Sequence, residues 1–571
     1  MKKKTLNAIM AVGAVAGAAA LVVSTKQKKS GKKTAHTTCG LKQKTDWGDR
    51  QVYFVGGGLA SMAGAAYLCR DAGFDGKNIH ILEGMNILGG SNDGAPAIKE
   101  GFVCRGGRML NEETYENFWD LMASVPSLER PGRSVTQEIL DFDHAHPTCA
   151  KARLIDKNAQ IKNVKSMGFN AADRMALTKL LFVDESTLDD MTIEEWFEPH
   201  FFETNFWYMW QTTFAFQKWS SLFELRRYMH RMIFEFSRIE TLEGVTRTRY
   251  NQYESVILPL KAYLDNFDVD FVTDTQVTDI DFASDDTVTA TALHLMTEQG
   301  EKVLPIRPND VVIMTNGCMT DSATLGDLHT PAPKPQKPSM SGELWRKVAA
   351  KKPGVLGNPE PFFGNEAETN WQSFTVTLKG DALLKKIENF SGNVPGSGAL
   401  MTFKDSSWLM SIVVAAQPHF TAQQPGTTIF WGYGLYTDKP GDYVNKPMKD
   451  CTGEEILCEL MGHFHWLNEW ESIRADVINV VPCYMPYIDS QFQPRKMADR
   501  PPVIPQGSTN FAMASQFVEI PQDMVFTEEY SVRAARMAVY GLFGIDKPIC
   551  PVTPYDKDPK VLVKATHTMY R

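Results

Sequence analysis

Apolar and polar positions alternate along the chain in ways that predict both strands and helices from about residue 47 onward. Residues 51–55 form an apolar run, and three glycines and a helix of small residues follow it to about residue 72. A second apolar run covers residues 78–84. Because buried parallel strands read as continuous apolar runs, this order is typical of a strand–turn–helix–strand unit.

The rest of the pattern continues this mixture to the C-terminus. Apolar residues at helical spacing predict helices at 112–124, 172–182, 221–237, 252–266, 381–390 and 527–543, and a T-x-x-E capping box predicts a further helix start at Thr452. Runs of β-branched and aromatic residues predict strands at 269–281, 287–296, 310–315, 407–416, 427–436 and 476–483. The sequence therefore predicts an α/β core with inserted helical and β-rich parts.

Size, charge and cysteine content narrow the class of protein. The chain has 571 residues, so we expect more than one domain and a large enzyme. A net charge of -9 at pH 7 argues against nucleic acid as a partner. The nine cysteines include no C-x-x-C pair, which disfavours a zinc site and a disulfide framework. We therefore predict reduced, intracellular thiols and no metal site.

The N-terminal segment differs from the rest of the chain. An uncharged run rich in alanine and glycine extends from Thr5 to Thr25 between two lysine clusters. As a helix with ~1.5 Å per residue, it would span roughly one bilayer core. More lysines follow the run than precede it, which predicts a membrane anchor or interfacial segment that leaves the large remainder cytoplasmic. A cleaved signal peptide and a soluble extension are the alternatives.

The glycines after the first strand predict a dinucleotide site. Gly56 permits a tight turn, Gly58 lets the backbone approach a pyrophosphate at the helix N-terminus, and Ser61 is the small residue at the third position of the motif. Glu83, at the end of the second strand, is placed to accept a hydrogen bond from a ribose hydroxyl. A glycine turn without a ligand is the alternative, since the motif alone has false positives.

Further glycine-rich turns favour FAD over NAD. In two-dinucleotide-binding flavoproteins a Gly-Gly pair continues the cofactor cradle after the ribose carboxylate, and Gly89 and Gly90 take that place here. The predicted strand at 310–315 leads into a small turn that contains Asn316 and Gly317. The sequence therefore predicts an FAD-binding, Rossmann-like flavoprotein core of the GR2 type.

A segment near the C-terminus supports the same cofactor. Residues 507–523 precede a predicted helix and resemble the last flavin contact of such proteins. Ser508 and Ser515 are the candidate cofactor contacts in it. Because this segment is far along the chain from the first glycine turn, the agreement between the two is better support than either alone.

The stretch "CRGGRMLNEE", residues 104–113, places two glycines between two arginines. A backbone this bare, with charge on both sides, is typical of a close approach to a ligand. We interpret Gly106 and Gly107 as backbone that passes against the flavin ring. Arg105 and Arg108 would then supply positive charge beside the ring.

Aromatic residues are concentrated between residues 201 and 236, where there are 13 in 36 residues against 11% in the whole chain. Such a wall suits an acyl chain, although a packed core has the same composition. Tyr228 shares a helix face with Leu225 and Met232 by i, i+3, i+7 spacing, so we expect it to point inward. A buried phenol can donate a proton to an alkene, and a core tyrosine with a satisfied hydroxyl is the alternative.

The motifs together resemble the oleate hydratase family of fatty acid double-bond hydratases, also called myosin-cross-reactive antigens. The matching stretches extend from about residue 47 to the end: "VGGGLASMAGAAYL", "NIHILE", "GGSNDG", "RGGRM", "TTFAFQKWSSLFELRRYMHRM", "TRYNQYESVILPL", "GDYVNKP" and "PYIDSQFQPR". The resemblance implies a hydratase that binds FAD, most active when reduced, and adds water to a cis double bond of long-chain unsaturated fatty acids without net redox change. It also implies a homodimer and association with a membrane surface.

The resemblance further implies two catalytic residues. Tyr228 matches the family's proton-donating tyrosine, and Gln252 matches an active-site glutamine. The family's water-positioning glutamate, by contrast, is replaced in this chain by Met109. The sequence therefore predicts the proton donor but leaves the water-activating group open.

Two acids near Met109 are candidate substitutes for that glutamate. Glu112 and Glu113 follow Met109 by three and four residues. A helix that starts near Asn111 would project them toward the same site or out to solvent. In the alternative, Asn111 caps the helix and both acids only stabilise its first turn.

The predicted domain order follows from these assignments and from a proline-rich boundary at 328–340. In chain order we expect the N-terminal segment and linker at 1–46, the FAD-binding domain at 47–135, 241–330 and 501–545, an aromatic-rich helical lid or substrate part at 136–240, a substrate-binding domain at 331–500 and a tail at 546–571.

Two other functions are open at the level of sequence. The same fold would serve a flavin-dependent fatty acid isomerase or a desaturase-like oxidoreductase. A membrane-associated lipid-binding protein, in which Met109 marks lost catalysis, is the other alternative. Hydration differs from both because its product is one water heavier and forms without an electron acceptor.

Overall fold

The computed structural model describes residues 46–92, 101–106 and 109–571. The predicted N-terminal anchor lies outside the described residues, and so do Gly107 and Arg108. Within the described ranges, no helix is both long and apolar enough to cross a membrane.

Strands assemble into three sheets in the described part of the chain. In chain order they are β1 (Val52–Val55), β2 (Ile79–Leu82), β3 (Leu154–Ile155), β4 (Asp270–Val272), β5 (Thr275–Phe282), β6 (Ala290–Thr297), β7 (Gly300–Pro305), β8 (Val311–Met314), β9 (Thr324–Leu325), β10 (Trp371–Lys379), β11 (Met401–Phe403), β12 (Met410–Val413), β13 (Thr427–Gly434), β14 (Val477–Met485) and β15 (Phe511–Met513).

Helices connect and cover these sheets. In chain order they are α1 (Leu59–Tyr67), α2 (Glu116–Met122), α3 (Val135–Ala145), α4 (Ala171–Phe182), α5 (Ile193–Trp196), α6 (Asn205–Phe214), α7 (Leu222–Arg231), α8 (Leu258–Asp265), α9 (Met340–Lys351), α10 (Glu360–Phe363), α11 (Glu366–Thr369), α12 (Ala382–Ser391), α13 (Gly453–His463), α14 (Trp470–Ala475), α15 (Glu528–Phe543) and α16 (Pro559–Met569). A π-helical turn, Leu68–Ala72, continues α1, and a 3-10 turn, Ile233–Ser237, follows α7.

Side-chain caps fix where several helices begin. The capping box predicted at Thr452 is confirmed: its hydroxyl accepts the Glu455 N–H at 3.2 Å, and the Glu455 carboxylate accepts the Thr452 N–H at 2.8 Å. Ser134 and Gln137 form the same reciprocal pair at the start of α3. Each such cap contributes about 0.5–2 kcal/mol, because it satisfies N–H groups that have no partner within the helix.

The first sheet has the strand order β15-β8-β1-β2-β4, and all of its pairings are parallel. Val52 of the central strand β1 lies opposite Ile79 on one side and Val311 on the other. The apolar runs predicted at 51–55, 78–84 and 310–315 are therefore neighbouring strands. The helices α1 and α15 pack against each other beside this sheet. The predicted α/β class with a Rossmann-like core is confirmed.

The second sheet is larger and mostly antiparallel, with the order β3-β11-β12-β13-β10-β14-β9. Its strand β10 pairs with β13 and β14, and only Lys379 of that strand is exposed. The third sheet contains β5, β6 and β7 in antiparallel order. The two larger sheets together form the frame around the site described below.

Two predicted elements differ from the structure. The single strand predicted at 269–281 is two strands, β4 and β5, in different sheets, because Asp274 takes a φ of +51° and turns the chain between them. The helix predicted at 112–124 begins only at Glu116. Asn111 explains the delay, since its side-chain oxygen accepts the N–H groups of Glu113 and Thr114 at 3.0 Å each and holds residues 112–115 in a turn.

A buried charge cluster holds α7 in place. Glu224 lies 3.0 Å from both Arg495 and Arg500, and all three side chains are fully buried. Burial alone would raise the pKa of Glu224, but the charges of Arg500 and Arg495 outweigh it and hold the pKa below its usual value. Because Tyr228 is one helical turn further along α7, this cluster also fixes the position of that tyrosine.

We expect Glu224→Ala to destabilise the fold by about 3–5 kcal/mol, because it leaves the buried Arg500 without a carboxylate and removes one of the two carboxylates that pair with Arg495. The measurement is the urea midpoint of unfolding, followed by tryptophan fluorescence. Lys261→Ala, which removes a surface pair with Asp265 at 2.8 Å, is the control and should cost less than about 1 kcal/mol. Equal shifts in the two variants would contradict this role of Glu224.

Candidate functional site

A cavity of about 380 Å³ lies at the carboxyl edge of the parallel sheet. The turns that follow β1, β2 and β8 line it, because parallel strands bring their carboxyl ends to one edge. Residues of the second sheet and of α6 and α7 line the rest. One continuous space therefore joins the glycine turn to an apolar chamber.

The glycine turn is built as the sequence predicts. Gly56 has a φ of +95°, and a Cβ there would lie 2.2 Å from Thr315 Oγ1, so only glycine fits. The Glu83 carboxylate accepts the N–H of Gly57 at 2.6 Å and that of Met85 at 2.8 Å. Burial raises the pKa of Glu83, although those two hydrogen bonds oppose the rise. Glu83 thus holds the turn together beside the cavity.

Bare backbone forms the floor of this end of the cavity. Helix α1 begins after Gly58 without any side-chain cap. A Cβ on Gly90, which has a φ of +56°, would lie 3.1 Å from the Cα of Gly58. The N–H groups and the dipole of an uncapped helix start favour an anion, so this cradle fits the pyrophosphate of a dinucleotide.

Other predicted cofactor residues also reach the cavity. They are Gly89, Arg105, Gly106, Gly317 and Ser515.

Three predicted cofactor residues have other positions. Ser61 is buried inside α1, away from the cavity surface. Asn316 is buried too, where it accepts the Ser515 hydroxyl at 2.6 Å and donates to the Phe517 carbonyl at 3.0 Å, so it supports the turn. Ser508 precedes β15 and therefore lies at the opposite edge of the sheet, where its hydroxyl contacts the Phe511 carbonyl. The structure does not bring Ser508 to the cavity.

Tyr228 projects from α7 into the apolar chamber. Its ring packs edge-to-face on Phe214, Phe216 and Phe492, with centroids 5.2, 4.9 and 5.9 Å away. Its hydroxyl donates to the Val525 carbonyl at 2.7 Å. Burial raises the pKa of Tyr228 well above its usual value, so the phenol keeps its proton at neutral pH.

Gln252 and Met109 line the same cavity. The backbone carbonyl of Met109 accepts the Tyr115 hydroxyl at 3.0 Å. An apolar side chain therefore occupies the position at which the resemblance implies an acid.

The two predicted substitutes for that acid point elsewhere. Glu112 is exposed and lies 2.9 Å from His144 on α3. Glu113 pairs with Arg238 at 2.9 Å. Neither of the two lines the cavity. The alternative, in which Asn111 caps the helix and both acids stabilise its first turn, differs from the structure as well: Asn111 caps a turn that precedes the helix, and the helix begins at Glu116.

Glu235 is a cavity residue that the sequence did not single out. It lies in the turn after α7, its side chain is 3% exposed, and it faces the cavity. One carboxylate oxygen accepts the Asn111 amide at 3.3 Å and the Arg238 guanidinium at 2.5 Å. Burial raises the pKa of Glu235 to about 7 against the opposing charge of Arg238. The available signal was an isolated glutamate within the apolar run "MIFEF".

Arg247 and His419 form a second group that the sequence did not reveal. Both line the cavity, and burial lowers the pKa of Arg247 to about 10, so it stays charged at neutral pH. Among the described residues its guanidinium forms no ion pair with a carboxylate. Burial, and then the charge of Arg247, lowers the pKa of His419 to about 4. This wall therefore offers a positive charge to an anion.

Most of the aromatic stretch 201–236 is packed core. Phe206 and Trp210 stack on each other with centroids 5.2 Å apart, away from the cavity surface. From this stretch, Phe214 and Tyr228 are the aromatic residues that line the chamber. The second sheet contributes Trp371, Trp431 and Tyr433 to the aromatic lining, and the remaining aromatic residues come from other segments: Tyr115, Phe142, Tyr253 and Phe526.

Comparison with known proteins agrees with this arrangement. The profile of the MCRA family matches residues 49–540. A linoleate hydratase of Lactiplantibacillus plantarum is 42% identical over 559 residues, which cover 90% of this chain and 98% of the relative. An oleate hydratase of Streptococcus pyogenes serotype M49 (strain NZ131) is 38% identical over 511 residues, 88% of this chain and 86% of the relative.

Solved structures show a weaker likeness. A CLA-producing fatty acid isomerase from P. acnes aligns with 87% of this chain and 99% of its own, at 14% identity and a TM-score of 0.43. A likeness of this size carries no information on the reaction. The match to the family profile is more informative, because it covers the residues of the glycine turn, the chamber and both larger sheets. The family predicted from the motifs is therefore confirmed, and the chain belongs to the MCRA family.

Proposed function

We propose that the protein is a hydratase that adds water to a cis double bond of long-chain unsaturated fatty acids. The observation that carries the proposal is the buried Tyr228, a protonated phenol inside an apolar chamber that is continuous with a dinucleotide-type glycine turn. The hydratase names of two relatives that align over most of the chain support it. The substrate would be a fatty acid such as oleate or linoleate.

Tyr228 would act as the proton donor. Hydration of an unactivated alkene needs an acid beside one carbon and a water at the other, because positive charge develops as the proton arrives. The phenol is protonated at neutral pH, as its usual pKa already requires and burial reinforces. Its hydroxyl donates to the Val525 carbonyl at 2.7 Å, which fixes its direction. When the acyl chain fills the chamber, the proton would pass from the phenol oxygen to the alkene carbon, and its hydrogen bond to this carbonyl would break.

FAD is the cofactor that we propose for the glycine-lined end. Gly58, Gly90 and the uncapped start of α1 would hold its pyrophosphate, and Glu83 lies where a ribose hydroxyl would bind. When bound, and most effectively when reduced, FAD would supply charge and shape beside the double bond without a net redox change. Arg105 and Gly106 would border its ring.

Arg247 would hold the carboxylate of the fatty acid. It lines the chamber wall, forms no ion pair among the described residues, and keeps its charge at neutral pH. A carboxylate placed there would pair with a half-buried cation, which is costly to leave alone. Gln252, which also lines this wall, would contribute to positioning the substrate.

A homodimer and uptake of substrate from a membrane surface are further parts of the proposal. They are supported by the family resemblance, and the lysine-flanked N-terminal run is the segment that would contact the membrane.

We expect the purified protein to convert oleate or linoleate into a product one water heavier, without an added electron acceptor. Tyr228→Phe should lower this rate by about 10²- to 10⁴-fold, because it removes the proton donor, while flavin absorbance is retained. Mass spectrometry of the product measures its mass and the rate of its formation, and the visible absorbance of the purified protein measures the bound flavin. Tyr67→Phe is the matched control, since this buried tyrosine also donates to a backbone carbonyl, that of Asn117 at 3.2 Å, but lies away from the cavity.

A dehydrogenated or isomerised product would contradict the proposal, because the reaction would then not be a hydration. A Tyr228→Phe variant that keeps the wild-type rate would show that Tyr228 is not the proton donor.

We expect Arg247→Met to lower kcat/KM for the free fatty acid by about 10- to 150-fold, which corresponds to one charge-assisted hydrogen bond of about 1.5–3 kcal/mol. The loss should lie mainly in KM, because the carboxylate is far from the reacting carbons. Arg249→Met, two residues away on an exposed side chain, is the matched control. With the uncharged methyl ester as substrate, Arg247→Met and the wild type should be equally active; an equal loss with acid and ester would contradict the assignment.

A further inference from the structure

We propose that Glu235 is the catalytic base that accepts a proton from the attacking water. This inference rests on the proposed hydration, and it assigns the role that the methionine at position 109 leaves open.

Elimination among the acids of the cavity points to Glu235. Within the described residues, the carboxylates that line the cavity belong to Glu83, Asp321, Glu528 and Glu235. Glu83 accepts backbone N–H groups of the glycine turn, and Asp321 accepts serine hydroxyls at the start of α9. Glu528 accepts the amide of Asn92 at 2.8 Å, next to the Gly-Gly turn. Glu235 is thus the acid on the chamber side.

Glu235 lies on the same side of the chain as the proposed proton donor. Tyr228, Met232 and Glu235 follow one another at i, i+4 and i+7, and all three line the cavity. This spacing is that of one helical face, which the 3-10 turn Ile233–Ser237 prolongs beyond α7. The proposed acid and the proposed base therefore face the same cavity from one wall.

The hydrogen bonds of Glu235 leave one of its oxygens without a partner among the described residues. Its Oε1 is held by Asn111 and Arg238, whereas its Oε2 is buried and has no hydrogen-bond partner in the part of the chain that the structure describes. Asn111 is two residues from Met109. Glu235 is therefore tied to the segment that carries Met109. Its second oxygen is an unsatisfied acceptor that is enclosed by protein atoms, so a rotation of the carboxyl group toward the cavity would be needed for it to accept a hydrogen bond from a water molecule.

The charged groups around Glu235 set its protonation. Arg238 and Glu113 are the charged groups that face it, and Tyr555 contacts the Glu113 backbone at 3.1 Å. Helix α16 packs on the outer side of the Ile233–Ser237 turn, and its lysines and histidine are exposed. Burial prevails over the attraction of Arg238 and raises the pKa of Glu235 to about 7, which suits a base at neutral pH.

The step balances in atoms and charge. The oxygen of water forms a bond to one alkene carbon, and one proton of that water passes to Glu235 Oε2. The other alkene carbon receives the proton of the Tyr228 hydroxyl. One proton must then return from Glu235 to Tyr228 through exchange with water before the next turnover.

We expect Glu235→Gln to lower kcat by about 10²- to 10⁴-fold, because a neutral amide of the same shape cannot accept the proton. The wild-type kcat/KM should rise with pH through about 7, where Glu235 becomes ionised, and this rise should be absent in the variant. Glu138→Gln is the matched control: this carboxyl is also buried, bonds to the Ser127 hydroxyl and lies outside the cavity. It should keep both the rate and the pH profile.

A rescue experiment separates catalysis from folding. Adding Met109→Glu to Glu235→Gln should raise kcat at least tenfold above that of Glu235→Gln alone, which corresponds to about 1.4 kcal/mol. The reason is that a carboxylate returns to the same part of the chamber. Wild-type rate and pH profile in Glu235→Gln would overturn the inference, and so would a loss that Met109→Glu does not relieve. Failure of the hydration proposal itself is distinct, since the wild type would then yield no product one water heavier.

Discussion

Burial of ionisable groups is the constraint on which the site depends. The chamber limits the contact of Tyr228, Glu235 and Arg247 with bulk water, and the loss of solvation shifts the pKa of each toward the uncharged form. The phenol keeps its proton, the carboxyl titrates near neutrality, and the guanidinium remains charged while it lacks a carboxylate partner among the described residues. An acid, a base and an anchor for an anion thus arise from ordinary side chains in one apolar space.

The two larger sheets create that space together. The parallel sheet supplies turns of bare backbone at one edge, where the approach of Gly58 and the positive φ of Gly90 disfavour a side chain on Gly90. The antiparallel sheet supplies aromatic walls such as Trp371 and Tyr433. Between them, α7 is fixed by the buried Glu224 cluster, so Tyr228 cannot move without disturbing charges that are themselves buried. Rigidity of the acid follows from the stability of the fold.

The sequence predicted the features that depend on local patterns. The strands of the parallel sheet, the glycine turn, Glu83 and the cap at Thr452 all follow from spacing within a few residues. What it did not predict depends on contacts between distant segments. Glu235 becomes a cavity residue through Asn111, which is 124 positions earlier in the chain. Arg247 is distinguished by its place in the cavity wall without an ion pair to any described carboxylate, which no local pattern encodes.

The central claim is that water adds across the double bond while the flavin undergoes no net redox change. The most direct measurement is turnover of oleate in ¹⁸O-labelled water, without oxygen or any electron acceptor, with mass spectrometry of the product. The account predicts a hydroxy fatty acid that carries the ¹⁸O label. A product without the label, or one with the mass of the substrate or less, would contradict it.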